Sequence, residues 1–324
     1  LITDKNNSKG AIMTHLLYLT ENDRGLERWR TEIAKIDPNI TIHSLNDHYD
    51  PESIEVVLAW KPPAGIFPTL TQLKLIQSLG MGVDHLFKTA DRPTQMPIAR
   101  IIDPDMANQM SEYSLYGALT AFRNFHRYRA SKTIGEWNPE PRNFHDEFAI
   151  GILGYGELGK TTAARLQQNG FPNIRIWSRT PKEIPSLKSY AGTEELLDFA
   201  KNLDLLICLL PLTSETESIL NRTLFDQLNP GAYLINAARG EHLNSTDLIE
   251  AIESKQIAGA LLDVFAKEPL PKTDPLWTIP EIEITPHVAA STNPRTAAAQ
   301  VVENIRRIEA GKMALNLIDL DRTY

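Results

Sequence analysis

Phe148-Ala149-Ile150-Gly151-Ile152-Leu153 runs directly into Gly154-Tyr155-Gly156-Glu157-Leu158-Gly159, and this stretch decides the fold. The first six residues form an apolar run of strand length. A helical pattern follows over Glu157–Asn169 and stops at Gly170. A second strand-like run, Ile174–Ser178, completes a βαβ unit of about thirty residues. A lone G-x-G-x-x-G is a weak signal, but between a strand and a helix it is specific for dinucleotide binding. Gly154 permits the tight turn, Gly156 lets backbone approach a pyrophosphate, and Gly159 lets helix and strand pack closely. The helix N-terminus adds free N–H groups and the positive end of a dipole.

Toward the C-terminus, polar residues recur just after apolar runs. Arg239 follows Ala232–Ala238, Asp263 and Glu268 follow Ala258–Leu262, and His287 follows Ile282–Thr285. Such runs, separated by helical patterns, read as buried parallel strands. Ligands of open parallel sheets bind outside the carboxyl ends of the strands. The glycine loop, an arginine, two acids and a histidine are therefore aimed at one edge.

Toward the N-terminus lies a separate α/β unit. His15–Leu19, Ile40–Leu45, Val56–Trp60 and Lys74–Ser78 read as strands and Leu26–Ala34 as a helix, with Pro62 and Pro63 closing the third strand. A long helical pattern over Asn108–Ser131 and a proline-bearing arm, Trp137–Pro141, connect it to the glycine loop. After His287, Asn293 and Pro294 supply an N-cap and a first-turn proline, and the helix they open runs to Gly311. That tail is too short for a domain. The expected architecture is α/β with two Rossmann-like doubly wound domains. A cofactor domain over residues 106–287 is inserted into a discontinuous, flavodoxin-like substrate domain of residues 13–105 and 288–324. Residues 1–12 are polar and unpatterned, and read as a tag remnant or disordered extension.

At 324 residues the chain has room for two full cores, and 42% hydrophobic with 23% charged residues is ordinary for a globular protein. A net charge of −8 argues against a general nucleic-acid binder. No apolar run reaches membrane-spanning length. Cys208, alone of its kind, lies in the apolar run Asp204–Leu210 and reads as a buried core thiol, in keeping with a reducing compartment. No His/Cys/carboxylate cluster has metal-ligand spacing.

The end of the second Rossmann strand selects between nicotinamide cofactors. An acid there suits the ribose hydroxyl of NAD, and an arginine the 2′-phosphate of NADP. Here the chain reads Trp177-Ser178-Arg179-Thr180-Pro181-Lys182, with no carboxylate before Glu183. Arg179 offers a planar fork suited to phosphate, flanked by the hydroxyls of Ser178 and Thr180. NADP(H) is expected in preference to NAD(H).

Arg239 can bind a carboxylate or polarise a carbonyl while staying charged. His287 is the only one of the eight histidines at such a strand end in this domain, and histidine suits proton transfer near neutral pH. A histidine in that role benefits from an orienting carboxylate, for which Asp263 and Glu268 both qualify.

Gly154/Gly156/Gly159, Arg239, Glu268 and His287, with the surrounding Leu209–Thr213, Asn236–Gly240, Leu262–Pro269 and Thr285–Ala290, resemble the D-isomer-specific 2-hydroxyacid dehydrogenase family. Trp60-Lys61-Pro62-Pro63, Gly80–Asp84, Gln109-Met110, Glu112-Tyr113, Phe171-Pro172 and Trp177–Thr180 narrow the likeness to its bacterial glyoxylate/hydroxypyruvate reductases of the A group. The resemblance implies that His287 protonates the substrate carbonyl, that Glu268 hydrogen-bonds His287 and favours its charged form, and that Arg239 binds the substrate. It implies cofactor contacts at Gly154, Tyr155, Gly156, Glu157, Leu158, Ser178, Arg179, Thr180, Leu210, Pro211, Ala237, Ala238, Asp263 and His287, Asp263 meeting the nicotinamide amide. Substrate contacts are implied at Trp60, Met81, Gly82, Arg239 and His287. Met81 stands where the family commonly has a smaller residue. A cytoplasmic homodimer is implied, with Trp137 on its arm, acting on a small 2-oxo or 2-hydroxy acid without nucleic-acid or membrane partners. Two rival readings are an NAD-dependent dehydrogenase of another D-2-hydroxy acid and a cofactor-sensing corepressor. The intact Arg239/Glu268/His287 set favours catalysis over the corepressor.

Overall fold

The computed structural model describes residues 13–322; the expectation for residues 1–12 lies outside them. The described chain forms two compact units. One comprises the residues up to Asp103 together with those from Thr292 onward, and the other runs from Pro104 to Ser291.

The first unit holds a five-stranded parallel sheet built from β1 (Thr14–Thr20), β2 (Ile40–His43), β3 (Ile54–Trp60), β4 (Leu75–Ser78) and β5 (Ile98–Ala99). Its order, β2-β1-β3-β4-β5, is the flavodoxin-like doubly wound order. Alternate residues of each strand enter opposite cores, as a pleat requires. Leu16, Tyr18, Val56 and Leu58 meet α1 (Leu26–Ile36) through Leu26, Trp29 and Ile33, and meet the last helix, Pro294–Glu309, through Ala298, Val301, Val302 and Ile305. Leu17, Leu19, Val57 and Ile76 face Phe67, Leu70 and Leu86, the last on the short helix α2 (Asp84–Phe87). The last helix starts as its sequence suggests, with Asn293 accepting from the Arg295 N–H and Pro294 in the first turn.

The second unit is a seven-stranded parallel sheet of β6 (Ile150–Leu153), β7 (Ile174–Ser178), β8 (Lys188–Ala191), β9 (Leu205–Cys208), β10 (Ala232–Asn236), β11 (Ile257–Leu262) and β12 (Ile282–Ile284). The order β12-β11-β10-β9-β6-β7-β8 is the Rossmann 3-2-1-4-5-6 arrangement with a seventh strand added, and its switch point lies between β6 and β9. On one face Ile150, Ile152, Ile176 and Ile207 pack against α3 (Pro104–Phe122) and, beyond α4 (Phe125–Ile134), against α5 (Glu157–Gln168). The other face, with Leu153, Leu206 and Leu234, receives Phe199 of α6 (Leu196–Ala200), Leu224 of α7 (Arg222–Phe225) and Leu248 of α8 (Ser245–Glu253). Cys208 is fully buried in that core, and burial pushes its thiol up to about 12.

Three expectations need correction. The single helix expected over Asn108–Ser131 is two, because Asn124 takes a left-handed backbone, φ 56°, between α3 and α4. The second strand stops at His43 rather than Leu45, since Ser44 leaves the ladder to take the Asp47 carboxylate on its N–H. The run at Ile282 is not fully buried, because β12 is an edge strand paired only with β11. Among the described residues no helix is long and apolar enough to cross a membrane.

Candidate active site

In the second unit, every sequence-expected polar residue leaves the carboxyl end of a strand. Across the sheet these are His287 after β12, Asp263 and Glu268 after β11, Arg239 after β10, Leu210-Pro211 after β9, the glycine loop after β6, and Ser178–Thr180 at β7. At about 4.8 Å per strand, this series spans roughly 24 Å from β12 to β7.

The loop after β6 fits a dinucleotide. Gly154 has φ 102°, and a Cβ there would stand 2.8 Å from the Leu209 carbonyl oxygen. A Cβ on Gly159 would lie 2.1 Å from the Gly154 carbonyl oxygen, so α5 rests directly on the loop. At Gly156, by contrast, a Cβ would meet nothing within 4 Å. That open backbone caps α5 without any side-chain hydrogen bond, leaving the N–H groups of its first turn for an anion. Glu157 is exposed and Tyr155 half-buried on the same loop. Leu158 packs with Ala237 and Ala289 in a small cluster that also holds Met110 and Tyr113 of α3.

At the end of β7, Arg179 and Thr180 are exposed. The buried Ser178 donates its hydroxyl proton to the Thr180 carbonyl at 2.9 Å, so it shapes the turn that presents its neighbours. After β9, Leu210 is buried and Pro211 exposed. The Pro211 carbonyl accepts from Thr216 Oγ1 at 2.8 Å.

Arg239 is held on several sides. Its carbonyl accepts from Asn236 Nδ2 at 3.0 Å, its N–H donates to His242 Nδ1 at 3.2 Å, and Nη1 is anchored on the Ala238 carbonyl at 2.6 Å. Because His242 Nδ1 accepts, the ring is neutral with its proton on Nε2, which it gives to the Pro211 carbonyl at 3.3 Å. Burial and the neighbouring Arg239 lower the His242 pKa to about 4. His242 thus ties the β9 and β10 loops together, a role with no local signature in the chain.

His287 meets Glu268 through Nδ1, 3.1 Å from Oε1 and 2.9 Å from Oε2. Of the two candidate acids, Glu268 is therefore the one on the ring. The carboxylate fixes a proton on Nδ1 and leaves Nε2 for chemistry. Glu268 Oε1 is itself steadied by the Phe265 N–H at 3.2 Å. The pair is only partly exposed, 33% and 22% at the two side chains.

Asp263 is 1% exposed. Its Oδ1 accepts from Thr285 Oγ1 at 2.6 Å and the Val288 N–H at 2.8 Å, and its Oδ2 from the Ala289 N–H at 2.9 Å. A carboxylate has about four acceptor positions, and these three bonds fill three of them. No local sequence pattern marks Thr285, Tyr113 or Gln109 for a role. Gln109 pairs with the Ser291 backbone in both directions and so fixes the segment beyond His287.

In the first unit, Trp60 ends β3, and Met81 and Gly82 follow β4. Trp60 packs where Gly80 has no side chain, since a Cβ there would come within 2.5 Å of the indole, and lies 4.2 Å from the His85 ring. Ser78 Oγ accepts from the Gly80 N–H and donates to the Gly82 carbonyl, both at 3.2 Å, and shapes the Met81 loop. Among the described residues no group of three His, Cys, Asp or Glu side chains is placed to hold a metal ion.

The family described as D-isomer specific 2-hydroxyacid dehydrogenase, NAD binding domain, matches residues 115–289. A Yersinia enterocolitica protein named glyoxylate/hydroxypyruvate reductase A is 44% identical over 280 residues, 85% of this chain and 89% of its own. A Serratia proteamaculans protein of the same name is 41% identical over 299 residues, 91% and 95% of the two chains. Among solved structures, a D-isomer specific 2-hydroxyacid dehydrogenase from Xanthobacter autotrophicus, in complex with NADPH and MES, superposes with TM-score 0.90 at 37% identity over 96% of this chain and 100% of that one. A Sinorhizobium meliloti NADPH-dependent glyoxylate/hydroxypyruvate reductase, in complex with NADP and sulfate, gives TM-score 0.88 at 30% identity with the same coverage.

Proposed function

The chain belongs to the D-isomer specific 2-hydroxyacid dehydrogenase family, and within it we propose that the protein reduces small 2-oxo acids, glyoxylate and hydroxypyruvate foremost, with NADPH. The observation that carries this reading is the His287–Glu268 pair, at 2.9 and 3.1 Å, on the same sheet edge as Arg239 and the glycine loop. The names of the Yersinia and Serratia relatives support the substrate class. The nucleotides named for the Xanthobacter and Sinorhizobium structures support the cofactor.

The nicotinamide, when bound, supplies the hydride. Gly154–Leu158, Leu210-Pro211, Ala237-Ala238 and Asp263 would hold the dinucleotide, and Arg179 with Thr180 its 2′-phosphate. His287 Nε2 delivers a proton to the carbonyl oxygen of the substrate while Glu268 holds the opposite ring nitrogen. Arg239 keeps a fixed positive charge for the substrate carboxylate and the developing alkoxide. Trp60, Met81 and Gly82 are assigned to substrate contacts. The protein is proposed to act in the cytoplasm on small acids alone, consistent with its −8 charge. We place a homodimer contact on α3, α4 and the arm, where Leu119, Phe125, Tyr128, Ile134 and Trp137 are exposed.

NADPH oxidation with glyoxylate, hydroxypyruvate, pyruvate and a bulkier 2-oxo acid, with NADH in parallel, tests this. The smallest acids with NADPH are expected to turn over fastest, and His287→Ala to lose at least about 100-fold in kcat. Preference for a bulky acid with NADH would replace the reading with another member of the family. No turnover with any pair would refute it.

A further inference from the structure

His287 carries a β-carbon yet takes a left-handed backbone, φ 55°, a conformation disfavoured outside glycine. Something must hold it there. Three consecutive N–H groups, those of His287, Val288 and Ala289, all end on Asp263: the first on its carbonyl at 2.8 Å, the other two on its carboxylate at 2.8 and 2.9 Å. Asp263 therefore fixes the turn from which the imidazole projects toward Glu268.

The carboxylate is in turn oriented. Thr285 Oγ1 lies 2.6 Å from Asp263 Oδ1 and 2.6 Å from the Tyr113 hydroxyl. An ionised carboxylate only accepts, so the single Thr285 proton goes to Asp263, and Tyr113 must donate to Thr285. The relay has one direction, from α3 through β12 to β11. Tyr113 sits in the apolar cluster with Met110 and Leu158, anchored on a long helix.

We infer that Tyr113 and Thr285 are positioning residues for His287, acting through the Asp263 carboxylate that clamps the 287–289 turn. The inference rests on the reading of His287 as the proton donor. The Thr285 hydroxyl is engaged by Asp263 and Tyr113; the work of the pair is to keep Nε2 in place, where misplacement by about 1 Å can cost on the order of 100-fold in rate.

Thr285→Val keeps the shape and removes the hydroxyl, Thr285→Ser restores it, and Tyr113→Phe removes the relay's first donor. Thr285→Val is expected to lower kcat about tenfold with the KM for the 2-oxo acid changed less than about twofold, since the substrate-binding arginine is untouched. Thr285→Ser is expected to recover at least about half of kcat, and Tyr113→Phe to lose about threefold. Because the relay passes through Thr285, the double variant should be no slower than Thr285→Val by more than about twofold. Full kcat in Thr285→Val, a Thr285→Ser as slow as Thr285→Val, or multiplicative losses in the double variant would each overturn the inference. Crystal structures of the wild type and Thr285→Val give a reading independent of turnover. Loss of the left-handed His287 turn, or of its contact with Glu268, is expected in the variant. An unchanged His287 there overturns the inference. Should the wild type reduce no 2-oxo acid, the proposed function fails, and these two structures alone decide the role of Thr285.

Discussion

Arg179 is an exposed guanidinium at the end of β7, in a turn with no carboxylate before Glu183. In the proposed role, removing it subtracts the contact to the 2′-phosphate of NADPH, a group that NADH lacks. Arg179→Ala is expected to raise the KM for NADPH by about tenfold or more and leave that for NADH within about twofold, because hydrogen bonds to a charged group contribute about 1.5–3 kcal/mol. An alanine variant that keeps its NADPH preference would discard the assignment. Side chains of this kind were legible because each lies within a few residues of the end of an apolar run: Arg239 after β10, Glu268 beyond β11, His287 after β12. Their supporting residues were not. Tyr113 and Thr285 are 172 positions apart, and His242 meets Pro211 across 31. Hydrogen bonds between distant positions leave no local pattern. A threonine before the Pro-His dipeptide reads as an ordinary loop residue until its partner is known.

The βα turn at Gly154 bears out in distances the separate uses that the motif gives to Gly156 and Gly159. Gly159→Ala would drive a methyl into backbone, 2.1 Å from the Gly154 carbonyl oxygen, which no side-chain motion relieves. A loss of about 1–3 kcal/mol in stability is expected, seen as a lower Tm, together with weaker NADPH binding. Gly156→Ala meets open space and has φ −82°. It should hold Tm while weakening NADPH by about tenfold or more, through crowding of the bound phosphates. Equal effects of the two variants on Tm would contradict this division. Most strands and the glycine-loop helix were readable because apolar period and punctuation agree there. Three places were not. At Asn124 the helical pattern runs on through a residue whose left-handed backbone breaks it. β8, Lys188–Ala191, has a mostly polar, half-exposed sequence at a sheet edge. β5 has only two residues, too few for any period.

His126 and His242 give the second unit an acid-sensitive interior. Both are buried, and desolvation lowers each pKa to about 4. His126 Nδ1 lies 3.4 Å from the Thr120 carbonyl, while its Nε2 and the nearby Tyr233 hydroxyl have no hydrogen-bond partner. The folded unit prefers both rings neutral, so their contribution is complete above the unfolded pKa of about 6.5 and is withdrawn as pH falls from there toward 4. At about pH 5 the loss is on the order of 2 kcal/mol per ring. Calorimetry between about pH 7.5 and 5 should show Tm falling by roughly 5–15 °C, and His126→Gln should fall by less. A flat profile, or an equal fall in the variant, would mean these rings do not govern it.

The last helix has a consequence for the order of synthesis. Ala298, Val301, Val302 and Ile305 cover the same face of the first sheet as α1, yet they are made after the whole of Pro104–Ser291. The second unit is contiguous and can fold as it leaves the ribosome. The N-terminal part of the first core must wait with Leu16, Val56 and Leu58 short of their cover. At about 5–20 residues per second, the 188 intervening residues take roughly 10–40 s. During that interval the nascent N-terminal segment is the part of this chain that most needs a chaperone.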